Sequence, residues 1–141
     1  MSRRRPVQCF IGLGSNLGDR KAHLVFAFKS LARLARTRLV RRSSIHETSP
    51  IGPPQPKYLN AVARIETALS PMGLLIELKR LEAARGRRPG PRWAPRPLDL
   101  DILFYGRERL RTLWLELPHP LALERSFVLE PLAELRRRRA R

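Results

Sequence analysis

An α+β domain, with an antiparallel sheet and helices packed against it, is the fold class this sequence predicts. Three observations carry the prediction. Four short apolar stretches (residues 7–13, 38–47, 58–67 and 98–105) have strand-like patterning. Two longer ones, 20–36 and the stretch from Pro71 to Gly86, repeat their apolar residues at helical spacing. With 141 residues, the chain suits one domain with one core.

Val7 to Leu13 reads as the first strand. Gly14-Ser15-Asn16-Leu17-Gly18-Asp19 is then a turn, with Asp19 placed to cap a helix. A glycine-rich turn between strand and helix can cradle phosphate. This one lacks the lysine of a P-loop and the dinucleotide fingerprint, so a structural turn is the simpler reading. Leu24, Phe28, Leu31 and Ala35 give the first helix its core face. Residues 38–47 extend as a second strand, with Val40 and Ile45 apolar. A proline-rich loop from Ser49 to Lys57 follows, and its prolines lower the entropy lost on ordering.

In the third strand, 58–67, Leu59, Ala61, Ala63 and Ile65 fall on one face, and Tyr58, Asn60 and Val62 on the other. Ser70 caps the second helix, Pro71 fills its first position, and Leu74, Leu75, Leu78 and Leu81 form its stripe. Gly86 ends it. The loop from Arg87 to Pro97 holds four prolines and four arginines around Trp93. After the fourth strand and Gly106, an extended segment or hairpin runs to Leu117. Pro118-His119-Pro120, a turn or short helix near Arg125, and an apolar segment from Phe127 to Leu135 close the core. The order β-α-β-β-α-β plus a C-terminal extension suits a ferredoxin-like arrangement, with both helices on one face of the sheet. One domain spans residues 1–135, and 136–141 form a basic, disordered tail. No linker or internal repeat interrupts it.

The chemistry concentrates in Arg92-Trp93-Ala94-Pro95-Arg96-Pro97-Leu98-Asp99-Leu100-Asp101-Ile102-Leu103-Phe104-Tyr105. On a strand, Asp99 and Asp101 stand side by side, and Leu98, Leu100, Ile102 and Phe104 line the opposite, core face. The chain has only three aspartates, so the pair is not background from an acidic protein. Adjacent carboxylates repel unless a cation lies between them. Magnesium accepts one or two carboxylates and completes its shell with water and phosphate oxygens. Arg87, Arg88, Arg92 and Arg96 stand just upstream, which places cations for phosphate beside carboxylates for a metal.

Composition narrows the classes. The net charge of +17 predicts attraction to polyanions, and 25 of the 29 basic residues are arginine, which favours bidentate phosphate contacts. Cys9 is the only cysteine, so no internal disulfide forms, and it and His23, His46 and His119 do not make a zinc site. No apolar run reaches membrane-spanning length. Paired arginines near the N-terminus are followed by neither an adequate apolar segment nor a cleavage site, so a mature, cytoplasmic start is expected.

The chain resembles the 6-hydroxymethyl-7,8-dihydropterin pyrophosphokinase family. Its blocks are Gly14-Ser15-Asn16-Leu17-Gly18, Thr48 to Asn60, Arg92 through Leu103, and Pro118-His119-Pro120 with Arg125-Ser126-Phe127, all in the family's order. The resemblance implies transfer of the β,γ-diphosphate of ATP to the pterin hydroxymethyl oxygen in folate biosynthesis, with release of AMP. It implies that Asp99 and Asp101 hold two Mg2+ ions and that Arg87 and Arg96 are catalytic through the phosphates. ATP contacts fall to Arg87, Trp93, Arg96, Ile102, His119 and Arg125. Pterin contacts fall to Thr48, Ser49, Ile51, Tyr58, Asn60, Trp93 and Phe127, with Tyr58 and Phe127 stacking on the two ring faces. Trp93 is the aromatic of the lid. A cytoplasmic monomer that binds these small molecules, with no specific nucleic acid and no membrane partner, is expected. The chain departs from the family in Pro89-Gly90-Pro91 of the second loop, in Ser49 where proline is common, and in the arginine tail beyond Leu135.

Two other functions fit parts of the sequence. A degenerate paralogue would bind pterin or nucleotide without turnover, which the retained Asp pair and arginines argue against. A basic nucleic-acid-binding module would suit the charge and the sheet, but the paired aromatic motifs of RNA-reading sheets are missing.

Overall fold

The computed structural model describes residues 5–50, 54–88, 90–91, 94–120 and 132–135. Strands β1 (Val7–Ser15), β2 (Thr37–Arg42), β3 (His46–Thr48), β4 (Tyr58–Thr67) and β5 (Asp99–Tyr105) form one antiparallel sheet. Its order is β2-β4-β1-β5, with β3 also on β4. Helices α1 (Arg20–Arg33) and α2 (Pro71–Ala84) pack on one face, and strands β6 (Leu110–Arg111) and β7 (Glu116–Leu117) make a separate hairpin. The architecture is α+β, as the alternation of periods predicts.

Local signals set the helix ends. Asp19 Oδ1 accepts from Ala22 N–H at 3.0 Å, and Ser70 Oγ from Gly73 N–H at 3.0 Å, so each cap satisfies one free donor of its first turn. Pro71 sits where the missing N–H does no harm. Gly86, at φ 88°, turns the chain out of α2 in the left-handed region.

The main core lies between sheet and helices. Leu24, Ala27, Phe28 and Leu31 of α1 and Leu74 and Leu78 of α2 meet Cys9, Ile11 and Leu13 of β1 and Ala61, Ala63 and Ile65 of β4. The other face has a smaller cluster, where Phe10, Val62 and Leu103 are covered by Leu132 and Leu135. Residues 132–135 are helical, and Glu134 fastens them by accepting from Ser44 N–H at 2.9 Å and Ser44 Oγ at 2.8 Å.

Besides the first helix, which ends at Arg33 with Leu34 extended and so leaves Ala35, expected on its core face, exposed beyond it, three features differ from the sequence expectation. The first strand continues through Gly14 and Ser15, because both pair with β4 at Asn60 and Leu59, so the turn is shorter than its glycines suggest. The expected single strand over 38–47 is two strands. Between them Ser43 exchanges two bonds with Val62: its N–H donates to Val62 O at 2.9 Å and its Oγ accepts from Val62 N–H at 2.8 Å. The third difference is in β5. Its pairing with β1 skips Leu103 at a β-bulge, so Leu103 and Phe104 both turn away from the helices while Tyr105 returns to them. Phe104 therefore leaves the core face predicted for it and packs edge-on against Phe10, ring centroids 6.3 Å apart. The turn expected near Arg125 lies outside the described residues.

Ser43 gives a test of the strand break. Ser43→Ala strands the buried Val62 N–H, and we expect a loss of about 1–3 kcal/mol in urea-unfolding free energy. Exposed Ser49→Ala should fall within about 0.5 kcal/mol of wild type.

Candidate active site

Strand β5 is an edge strand, and it enters the sheet directly from the second loop. Asp99 and Asp101 lie on the face away from the helices, as strand periodicity requires. Directly across from them on β1 stand Gly14 and Gly12, and beyond these on β4 stand Asn60 and Val62. Gly14 leaves a trough between Asp99 and the Asn60 amide, while over Gly12 the Leu103 side chain lies 3.3 Å from where a Cβ would stand. A Cβ on Gly14 would lie 3.1 Å from Asn60 Oδ1 and 3.4 Å from the Tyr58 ring, so a side chain there would crowd the trough. Asn60 donates from Nδ2 to Thr48 Oγ1, which holds the amide upright over the sheet. Carboxylates thus line one wall, and Tyr58, Asn60 and Thr48 the other.

Two arginines of the second loop, Arg87 and Arg96, converge on Asp99. Arg87 Nη1 donates to Asp99 Oδ1 at 2.8 Å, and Arg96 Nη1 to the same oxygen at 3.2 Å. Among the described residues no cation lies within ion-pair distance of Asp101. Burial and the neighbouring Asp99 carboxylate push the Asp101 acid up to about 7, against the pull of Arg87 and Arg96. Burial, then Asp99, also raises the Tyr58 phenol.

These donors fit magnesium better than a metal caged by protein alone. Among the described residues no three His, Cys, Asp or Glu side chains gather as a metal site. Two carboxylates in a trough, one without a cationic partner, leave the remaining coordination positions for water and a phosphorylated ligand.

Other expected residues divide. The Ile102 side chain is 3% exposed in the helix-side core. Alternation along the edge strand leaves only its main chain facing the open edge. His119 is fixed beside β5 by its N–H, which donates to Leu103 O at 2.9 Å. Ser49 follows Thr48 and is exposed. Ile51, Trp93, Arg125 and Phe127 lie outside the described residues.

Two residues escaped the sequence reading. Asn16 is 1% exposed and joins both loops. Its Oδ1 accepts from Arg96 N–H at 2.7 Å, and its Nδ2 donates to Gln55 Oε1 at 2.7 Å and Pro56 O at 3.2 Å. Glu82 is buried on α2, and its Oε2 accepts from Leu100 N–H at 2.8 Å and Arg87 Nη1 at 2.6 Å. Burial raises the Glu82 acid, and the Leu100 N–H and Arg87 draw it back. The sequence held a signal for Glu82: four residues after Leu78, it continues the stripe Leu74, Leu78 with a charge. Nothing in the composition of the Gly14–Asp19 block marked Asn16 as a buried hub.

A phosphate-handling transferase is the class this α+β fold and its facing carboxylates and guanidiniums define. The chain belongs to the 7,8-dihydro-6-hydroxymethylpterin-pyrophosphokinase family, whose pattern it matches over residues 10–137. It is 46% identical over 130 residues to the 2-amino-4-hydroxy-6-hydroxymethyldihydropteridine pyrophosphokinase of Haemophilus influenzae, covering 92% of this chain and 81% of that one. The Bacillus subtilis protein of the same name is 44% identical over 127 residues, covering 89% of this chain and 76% of its own. A mitochondrial folate synthesis bifunctional protein of Pisum sativum is 45% identical over 126 residues, 89% of this chain and 24% of the larger protein.

The raised Asp101 acid makes a stability prediction. Because its folded pKa exceeds the unfolded value, the native state holds this proton more tightly. Stability from this group is full below the unfolded carboxylate pKa and is lost as pH rises through about 7. In EDTA and without ligand, Asp101→Asn should raise urea-unfolding free energy at pH 8 by about 1 kcal/mol or more. The gain should shrink steadily towards pH 4.

Proposed function

We propose that this protein transfers the β,γ-diphosphate of ATP to the hydroxymethyl oxygen of 6-hydroxymethyl-7,8-dihydropterin, in folate biosynthesis. The observation that carries the reading is the trough: the Asp99 and Asp101 strand faces Asn60, Tyr58 and Thr48 across Gly14, in a chain of this family. The pterin takes the Asn60 wall. There the amide pairs with the edge of the heterocycle and Tyr58 offers a ring face, worth about 0.5–1.5 kcal/mol beyond area burial. The triphosphate takes the Asp wall, along the open edge of β5.

The hydroxymethyl oxygen forms a bond to the β-phosphorus, the bond from that phosphorus to the α,β-bridging oxygen breaks, AMP leaves, and the hydroxyl proton passes to solvent. Asp99 and Asp101 would hold Mg2+, two ions by family resemblance, which supplies charge neutralisation across the phosphate oxygens. Arg87 and Arg96 grip those oxygens from the second loop, and His119 stands at the far end of β5 with its backbone pinned. Among the described residues no side chain of the trough is placed as a general base, so positioning and electrostatics carry the proposed reaction. Trp93, Arg125 and Phe127 complete the ATP and pterin contacts, with Ile51 and Ser49 in the first loop. Closing the two loops excludes water that would hydrolyse ATP.

The strand order supports a ferredoxin-like reading of the fold, with β2 and β3 counted as one interrupted strand. One domain over 1–135 with a basic tail, acting as a cytoplasmic monomer on small molecules, accompanies this proposal. No described helix is long and apolar enough to cross a membrane.

Purified protein with ATP, Mg2+ and the hydroxymethyl pterin should release AMP, and omitting either Mg2+ or pterin should abolish release. Asp99→Ala should lower kcat by about 100-fold or more. Binding of both ligands without AMP would mean a degenerate paralogue. Asn60→Ala should raise the pterin KM about tenfold with little change in the KM for ATP. Equal effects on both would contradict the two-wall assignment.

A further inference from the structure

The mechanism above leaves one buried acid beside the phosphate-binding arginine without a part to play. Glu82 is 4% exposed, and burying a charge is costly unless it is paired and hydrogen-bonded. Its pairing is unusual because one oxygen serves two elements. Oε2 accepts from the Leu100 N–H, between the two aspartates, at 2.8 Å, and from Arg87 Nη1 at 2.6 Å. That same Nη1 donates to Asp99 Oδ1 at 2.8 Å. Helix, strand edge and loop therefore meet at one guanidinium nitrogen. The backbone enforces the meeting. After Gly86 turns the chain back, the Arg87 N–H donates to the Glu82 carbonyl at 3.1 Å, which returns the Arg87 side chain over the Glu82 carboxylate.

We infer that Glu82 is a positioning residue that acts through Arg87, holding its guanidinium beside Asp99 in the orientation it presents to the phosphate oxygens. The inference rests on the diphosphate transfer proposed above. An arginine has a long flexible stem, and one carboxylate anchor fixes it poorly. Asp99 is a weak anchor for this purpose, because its oxygens are also needed by the ligand. Glu82 has no such competing use. It is buried, tied to the strand edge, and among the described residues reached otherwise only by Lys79, whose Nζ is 3.9 Å away on an exposed stem. When Asp99 turns to the ligand, Glu82 keeps Arg87 in place, and the remaining guanidinium N–H groups stay aimed at the trough. Without the Glu82 charge, Arg87 has Asp99 as its only described carboxylate partner and competes with the ligand for it.

A double-mutant cycle separates this role from strand-edge capping. Glu82→Gln keeps the shape and an acceptor for Leu100 but removes the charge. Arg87→Met keeps the stem and removes the guanidinium. We expect Glu82→Gln to unfold near the wild-type urea midpoint, to lower kcat about 10- to 100-fold, and to change the KM for ATP much less. In the Arg87→Met background the same substitution should have almost no effect on kcat. An equal loss in both backgrounds, or wild-type kcat in Glu82→Gln, would overturn the inference. NMR of the arginine side chains reads the clamp without turnover: restricted rotation of the Arg87 guanidinium should be released in Glu82→Gln, and its persistence would also overturn the inference. If the wild-type protein releases no AMP, the functional reading fails, and the NMR comparison still decides whether Glu82 holds Arg87.

Discussion

An edge strand presents unpaired backbone groups, and proteins normally cover or blunt them. Here β5 must stay open, because its edge is where the nucleotide is proposed to lie. The Glu82 carboxylate meets both needs at one point. It satisfies the outward Leu100 N–H with a side chain from α2 rather than with another strand. The bond falls between the two aspartates, so the support of the strand and the spacing of the carboxylates are the same constraint. Loss of that contact would unsettle the strand edge and Arg87 together.

The site gathers acids where a stable fold would not. Asp99, Asp101 and Glu82 share one neighbourhood, and Asp101 carries the strain as a carboxyl raised to about 7 by burial and repulsion. Arg87 and Arg96 relieve Asp99 but do not reach Asp101. Uncompensated charge of this kind is typical of functional sites. In the proposed reaction a bound cation and the phosphates would complete the charge balance.

Most of the architecture was legible because its signals are local. The β4 strand matched the reading of 58–67, since period-two alternation runs unbroken there and each face carries the residues assigned to it. Both helix caps followed from a single Asp and a Ser-Pro pair. What failed was long-range. The bulge at Leu103 arises from pairing with β1 and sends Phe104 to the other face, which alternation within β5 cannot reveal. The split of β2 from β3 depends on Ser43 meeting Val62 across the sheet. The Asp pair and the Tyr58–Asn60 wall were readable from position on a strand, whereas the placement of Gly14 between them exists only in the register of three strands.

Asn16 has a consequence for how two ligands sense each other. One rigid amide is shared by the segment leading into β4 and the segment leading into β5. Ordering either segment removes freedom that the other would otherwise have to lose. If each ligand orders the segment beside its proposed wall, occupancy of one wall would be linked to affinity at the other, and by thermodynamic reciprocity the linkage would run equally in both directions. A preferred sequence of ligand arrival would then reflect which segment is looser at the outset, with no signal travelling through the core.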